Sequence, residues 1–167
     1  MPKPNVLILG GVGFIGRNLV EFLIESDCCG KIRVADKVLP QTAGLSEKQK
    51  QYFEKIEFKQ SNLARTATIS KVFDDEANFD YVINLAGETK YSQADEVYKE
   101  NIYDVTVTCA SEAAKRNVKR FIEVSTAQVY DSGNKARAED AKLKPWTGLA
   151  KQKLKAEEQL KSIEGLK

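Results

Sequence analysis

The chain has 167 residues, of which 26 are basic and 24 acidic, for a net charge of +2, with 42% apolar and 30% charged side chains. That length supports one domain with a real core, and the near-balance of charge gives no electrostatic basis for a nucleic-acid or acidic-membrane partner. Histidine is absent and cysteines number three, which removes His-based triads, His acid–base chemistry and any ordinary zinc ligand set, so no metal site is expected.

In chain order, Met1-Pro2-Lys3-Pro4-Asn5 lacks the charged-then-apolar-then-small order of a secretory signal. Val6-Leu7-Ile8-Leu9 is a short continuous apolar run ending in glycine, the pattern of a strand buried on both faces. Ile15, Leu19, Phe22 and Leu23 then fall on one helical face. Cys28 and Cys29 are adjacent, with no CxxC spacing, and read as reduced intracellular thiols rather than a disulfide or redox pair. Ile32-Arg33-Val34-Ala35-Asp36 reads as a second strand. Residues 37–55, with Pro40, Gly44 and a polar stretch, read as a surface excursion holding one short helix.

Ile56 to Lys59 is expected as strand three, a helix around 65–77 follows, and Tyr81 to Leu85 makes strand four. The spacing predicts a long helix over 95–117, with Tyr98, Ile102, Val105, Cys109 and Ala113 along one stripe. Arg120 to Ser125 makes strand five, and a final helix covers 149–163, stopped by Gly165. No run is long and apolar enough to span a bilayer; the longest, Val6 to Ile24, is broken by glycines, Arg17, Asn18 and Glu21. The expected protein is soluble, intracellular and most simply cytoplasmic. Alternating β and α units argue for a doubly wound parallel sheet, and right-handed crossovers give the strand order 3-2-1-4-5. The chain stops where a further strand is expected, so residues 1–167 read as one domain truncated before that strand, with strand five left as an edge that a partner or missing segment covers.

Between the first strand and first helix stands Gly10-Gly11-Val12-Gly13-Phe14-Ile15-Gly16, which satisfies GxGxxG through Gly11, Gly13 and Gly16. A turn without Cβ atoms lets backbone N–H groups and the positive end of a helix approach a pyrophosphate. Asp36 follows twenty residues past Gly16, at the end of strand two. A carboxylate there accepts hydrogen bonds from adenosine ribose hydroxyls and repels a 2′-phosphate, which favours NAD over NADP although Lys37 and Arg33 stand nearby.

Together with further segments, this loop resembles the extended short-chain dehydrogenase/reductase family, the group of NAD-dependent sugar-nucleotide epimerases and dehydratases. Gly10 to Gly16 matches its GxxGFIG loop, including Phe14 and Ile15. Asn62-Leu63 sits where the family has an Asp/Asn-Leu pair against adenine, and Asn84-Leu85-Ala86-Gly87 matches the segment beside the cofactor at the end of strand four. Asn101, Ala113-Ala114 and Val118-Lys119-Arg120-Phe121 follow its pattern for the long helix and strand five. Ser125-Thr126-Ala127-Gln128-Val129-Tyr130 is close to its SS/ST-x-x-VY motif, in which the hydroxyl at the Thr126 position polarises substrate. The resemblance covers essentially the whole chain and implies a Rossmann fold whose C-terminal strands and substrate-binding part are absent here. It also implies NAD as cofactor, with Lys153 on the nicotinamide ribose, and a homodimer through the helices at 95–117 and 149–163 or a place in a larger assembly.

One departure bears on activity. The family's YxxxK appears as Leu149-Ala150-Lys151-Gln152-Lys153, so a leucine stands at the tyrosine position. A tyrosine phenol there exchanges a proton while the nicotinamide exchanges a hydride; leucine has no ionisable atom. Lys153 is the only charge on the inward stripe Leu149, Lys153, Ala156, Leu160, Ile163, and a charge on such a face needs a partner. Two readings follow: a non-catalytic NAD-binding subunit or scaffold, or an NAD-dependent epimerase, dehydratase or reductase with an unusual proton donor. Thr126 and Lys153 are the catalytic candidates for the second, with Glu88 and Tyr91, in the loop after strand four, as substitute acids or bases. Local backbone bonding for Thr126 and simple surface exposure for Glu88 and Tyr91 are the plainer explanations.

Overall fold

Val6–Leu9 forms β1 and Phe14–Glu25 forms α1, followed by β2 at Ile32–Asp36. The computed structural model describes residues 2–74, 78–133 and 136–167. All of β1 is buried, as an apolar strand covered on both faces must be. The excursion after β2 holds a 3₁₀ turn at Pro40–Thr42 and one helix, α2, at Glu47–Phe53. Helix α2 starts where it does because Ser46 and Gln49 form a reciprocal capping box.

Strand β3 (Glu57–Gln60), helix α3 (Thr66–Val72) and strand β4 (Tyr81–Asn84) come next. Helix α3 ends earlier than its apolar pattern suggests, with Phe73 as its C-cap; the last part of the expected 65–77 helix lies outside the described residues. The expected long helix is continuous but not uniform. Asp95–Tyr98 (α4) and Val105–Lys115 (α5) are joined by a π-helical stretch at Lys99–Asp104. The stripe Tyr98, Ile102, Val105, Cys109 and Ala113 is buried throughout. Strand β5 covers Arg120–Glu123, two residues shorter than its pattern, and α6 covers Gly148–Leu160. Helix α6 starts at the Thr147 side chain, which accepts a hydrogen bond from the Ala150 N–H at 3.0 Å. It ends at Leu160, with Lys161 as its C-cap. Gly165, at φ +77°, serves a later turn and does not stop the helix.

The five strands are parallel in the order β3-β2-β1-β4-β5, as right-handed crossovers require. One core layer packs Leu7, Leu9 and Val82 against Val105, Cys109 and Ala113 of α5. The other packs Val6, Ile8 and Val34 against Val20 and Leu23 of α1. Burial pushes the Cys109 thiol up to about 12, with the Glu123 and Glu112 charges adding to the effect, so it is inert at neutral pH. At the open side of β5, the Phe121 N–H donates to the Lys167 carbonyl at 2.8 Å, and Leu166 packs on the first layer. Among the described residues no helix is long and apolar enough to cross a membrane.

Arg33 is 1% exposed and points away from the Asp36 end of its strand. Its guanidinium reaches Glu57 at 2.9 Å, Asp74 at 2.8 Å and the Val72 carbonyl at 2.8 Å, and lies 4.9 Å over the Phe79 ring. Lys59 also pairs with Asp74. The proximity of Arg33 to Asp36 in sequence therefore does not carry into space, because residues of opposite parity leave a strand on opposite faces.

Candidate functional site

The C-terminal ends of β1, β2 and β4 open into a cleft of about 750 Å³. The glycine loop forms its floor, and its four glycines do different jobs. A Cβ on Gly10 would stand 2.7 Å from Ala86 Cα, and Gly10 has φ +74°. A Cβ on Gly16 would stand 2.4 Å from Gly11 Cα, and one on Gly11 would meet Val34 at 2.8 Å. These three glycines let helix, strand and loop close on one another. Gly13 differs: its Cβ would meet only the Gly10 carbonyl, at 3.3 Å, and Gly13 lines the cleft. It is also the N-cap of α1, with no side-chain cap, and the helical ladder begins at the Arg17 N–H to Gly13 carbonyl bond. The first-turn N–H groups of α1 thus face a cradle of bare backbone, the arrangement that receives a phosphate.

Asp36 closes one end of the cleft. Its Oδ2 accepts the Val12 N–H at 3.0 Å and its Oδ1 accepts the Val38 N–H at 3.0 Å. Each oxygen keeps a further lone pair for a ribose hydroxyl. Arg17 ties α1 to the excursion after β2, donating to the Gly44 and Ala43 carbonyls at 3.3 and 3.2 Å. Phe14 and Ile15 stand at the mouth, with Phe14 80% exposed. Asn62 and Leu63 line the cleft after β3; Leu63 is buried, and Asn62 Oδ1 caps its own turn at the Ala64 N–H. Leu85, Ala86 and Gly87 line it after β4, and Asn101 approaches from the π-helical stretch. Bare N–H donors at the start of α1, an accepting carboxylate at Asp36 and small residues at Ala86 and Gly87 fit a dinucleotide laid across the sheet from β2 to β4.

The second group of candidates lies at the start of α6. Gly148 is required there because a Cβ would meet the Tyr98 ring at 2.8 Å. Leu149 follows in the first turn, and Lys153 one turn later. The Lys153 ammonium donates to Glu123 Oε1 at 2.6 Å and to the Val124 carbonyl at 2.7 Å. The two side chains are 10% and 5% exposed. Glu123 Oε1 also accepts from Thr106 Oγ1 at 3.2 Å, and Glu123 Oε2 accepts from Asn84 Nδ2 at 2.6 Å. Asn84 Oδ1 in turn accepts the Ala86 N–H at 3.1 Å, tying the network to the cleft wall. Burial pushes the Glu123 carboxyl up, and the Lys153 ammonium pulls back against it.

Sequence reasoning foresaw that Lys153 needs a partner and missed that Glu123 supplies it. The signal was present: Glu123 falls in the same alternate set as Phe121, and an acid on the inward set of a strand is as conspicuous as a lysine on an inward helical stripe. Thr126 accepts the Gln128 N–H at 3.2 Å and starts a 3₁₀ turn, and Glu88 accepts the Lys90 N–H at 2.9 Å. Tyr91 is 61% exposed, yet its phenol oxygen accepts from Gln128 Nε2 at 2.8 Å. Gln128 Oε1 accepts from Thr147 Oγ1 at 2.8 Å. Thr126, Tyr91 and the start of α6 are therefore joined through Gln128. Cys28 and Cys29 lie with their sulfurs 3.6 Å apart in the α1–β2 connection, outside both groups. Among the described residues no cluster of carboxylate, thiol or imidazole side chains could hold a metal ion.

Comparison with known proteins accounts for this layout. Residues 6–166 match the NAD dependent epimerase/dehydratase family, and the chain belongs to it. It is 30% identical over 140 residues to a dTDP-D-glucose 4,6-dehydratase of Dictyostelium discoideum, covering 77% of this chain and 30% of that protein. It is 29% identical over 134 residues to a trifunctional UDP-glucose 4,6-dehydratase/epimerase/reductase of Arabidopsis thaliana, covering 77% of this chain and 20% of that protein. Among solved structures, the Bordetella bronchiseptica enzyme WbmG in complex with NAD superposes with a TM-score of 0.81 at 20% identity, over 97% of this chain and 50% of that one. A UDP-glucuronic acid 4-epimerase from Bacillus cereus in complex with NAD gives 0.78 at 24% identity, over 95% and 53%. The chain spans less than a third of the two curated relatives and about half of these structural neighbours.

Proposed function

We propose that this member of the NAD dependent epimerase/dehydratase family is a dinucleotide-binding, non-catalytic unit that holds NAD(H) in the cleft between the glycine loop, Asp36 and the Leu85–Gly87 turn. The pyrophosphate lies on the first turn of α1, the adenosine ribose on Asp36, the adenine side on Asn62 and Leu63, and the nicotinamide ribose towards Lys153. The dinucleotide would supply hydride chemistry when bound; the chain's own residues bind and orient it. NAD is preferred over NADP because Asp36 stands at the ribose position and Arg33 is committed elsewhere. One observation carries the non-catalytic reading. Leu149 stands where proton transfer requires an ionisable side chain, and two of the three donors of Lys153 are spent on Glu123 and the Val124 carbonyl. Residues 1–167 are, on this reading, the cofactor-binding part of a unit completed by further strands or by a partner.

The test uses the longest natural form of the chain. Calorimetry is expected to show NAD binding, with no NADH turnover on nucleotide sugars or a panel of carbonyl compounds. Asp36→Asn should weaken NAD about tenfold, through loss of charge-assisted ribose bonds, and narrow the gap to NADP. Wild-type turnover would overturn the non-catalytic reading.

A second reading has its own support. The Tyr91 phenol accepts a bond from Gln128 and so keeps its O–H free to donate, and Gln128 links it to Thr147, two residues before Leu149. In this reading the chain belongs to an NAD-dependent epimerase, dehydratase or reductase in which Tyr91 replaces the missing proton donor and Thr126 polarises the substrate. Turnover that Tyr91→Phe abolishes while NAD affinity is retained would establish it.

A further inference from the structure

The buried quartet Glu123, Lys153, Asn84 and Thr106 joins α6 to the cleft, and only Lys153 has a part in dinucleotide binding as described so far. It is fully made: both Glu123 oxygens are occupied, by Lys153 and Thr106 on one and by Asn84 on the other. The Lys153 ammonium lies against the cleft wall, where a Cβ on Gly87 would stand 3.9 Å from Nζ. A dinucleotide with its adenosine ribose on Asp36 crosses β1 and reaches β4 with its other end, beside Gly87. That is the nicotinamide end. Its ring carries a unit positive charge when oxidised and none when reduced. An unpaired ammonium behind Gly87 would repel the oxidised ring; a paired one does not.

We propose that Glu123 is the built-in counter-ion of Lys153, and that the pair leaves the nicotinamide end of the cleft electrically neutral, so that the oxidised dinucleotide is not penalised there against the reduced one. Placing that ring beside Gly87 rests on the binding mode proposed above. The same pairing denies Lys153 the power to acidify a phenol one turn away. Leu149 and Glu123 are then two independent departures from tyrosine–lysine chemistry, and reversing the first alone does not restore it.

Two measurements test this. The first needs no dinucleotide: the phenol introduced by Leu149→Tyr is titrated by ultraviolet difference absorbance against the wild-type protein. It should ionise near the ordinary tyrosine value of about 10. Ionisation more than about one unit lower would show an active Lys153 charge and overturn the proposal. The second is the ratio of NAD⁺ to NADH affinity, by calorimetry. Glu123→Gln should move it about five- to tenfold towards NADH, since one unit charge is then uncompensated. The paired variant Glu123→Met/Lys153→Met removes both charges and, like other apolar replacements of buried pairs, should fold. It should keep the wild-type ratio even where both affinities fall. An unchanged ratio in Glu123→Gln, or a shift towards NADH in the paired variant, overturns the proposal. Failure of both dinucleotides to bind wild-type protein would refute the binding mode instead, and the phenol titration would still decide the state of the pair.

Discussion

Gly16→Ala should lower stability by about 3 kcal/mol, a fall in Tm of roughly 6–12 °C for a chain of this size, and abolish dinucleotide binding with it. The new methyl would have to occupy space 2.4 Å from Gly11 Cα and 2.6 Å from its carbonyl carbon and oxygen. Those are backbone atoms of the turn that follows a fully buried strand, so they have no rotamer to yield. Helix α1 must move off β1, and the N–H cradle moves with it. Gly13→Ala is the informative contrast. Its methyl meets a single carbonyl oxygen, at 3.3 Å, and otherwise projects into the cleft. The fold should survive with a Tm change within about 4 °C, from a cost of about 1 kcal/mol for losing the N-cap glycine. NAD affinity should drop at least about tenfold, since the methyl holds a phosphate away from the helix N-terminus. Thermal melts and calorimetry on the two variants separate a glycine needed for packing from one needed for the ligand. Equal loss of stability in both would contradict this division of labour.

Arg33→Met should cost about 2–3 kcal/mol, because a buried guanidinium with several charge-assisted hydrogen bonds is lost while its partly exposed carboxylates keep lysine partners. It takes from Glu57 and Asp74 their one buried partner, leaving them to Lys31 and Lys59, and removes the cation over Phe79. The pH dependence gives a second signature. Lys59 and then Arg33 hold the Asp74 carboxyl below its ordinary value. Burial pushes Glu57 up, but its bonds to Arg33 and Lys31 outweigh that and hold it low as well. Both groups therefore bind protons more weakly folded than unfolded. Their stabilisation is present above the unfolded carboxylate range, about pH 4–4.5, and is lost as pH falls through the lower folded values. Wild-type urea midpoints should drop through that acid window, and the Arg33→Met profile should be flatter there. A variant with the wild-type slope would show that Lys31 and Lys59 alone set these carboxyls.

Periodicity made the fold legible because the strands are short, with an apolar run at β1 and alternation at β3, amphipathic helices stand between them, and right-handed crossovers leave one strand order. Boundaries were less legible where tertiary contacts decide them. The π-helical stretch at Lys99–Asp104 leaves no trace in the apolar stripe, since Tyr98, Ile102, Val105 and Cys109 are spaced as any α-helix would space them. Gly165 looked like a helix stop, and the helix had already ended at Leu160. At the cleft, the glycine loop and Asp36 could be read directly because their chemistry depends on local backbone. The partner of Lys153 could not be named that way. It lies thirty residues upstream on another element, and only the packing of α6 on β5 brings the two together. Arg33 shows the opposite failure: nearness to Asp36 along the chain suggested a role beside the cofactor, whereas strand alternation already placed it on the other face.

The stretch from Lys99 to Asp104 has a consequence for comparisons between this chain and its kin. A π turn is wound one residue looser than an α turn, so the helix holds one residue more than its length requires. Each residue of an α-helix advances the screw by roughly 100°. Excising one residue there would rewind everything before it by about that angle, swinging Tyr98 out from under Gly148 and releasing the Lys90 carbonyl that its hydroxyl holds. Kin that lack the extra residue must therefore build the 87–93 crossing differently, and an indel at this point in a family alignment would mark a changed entrance to the cleft, even between chains whose glycine loops are identical.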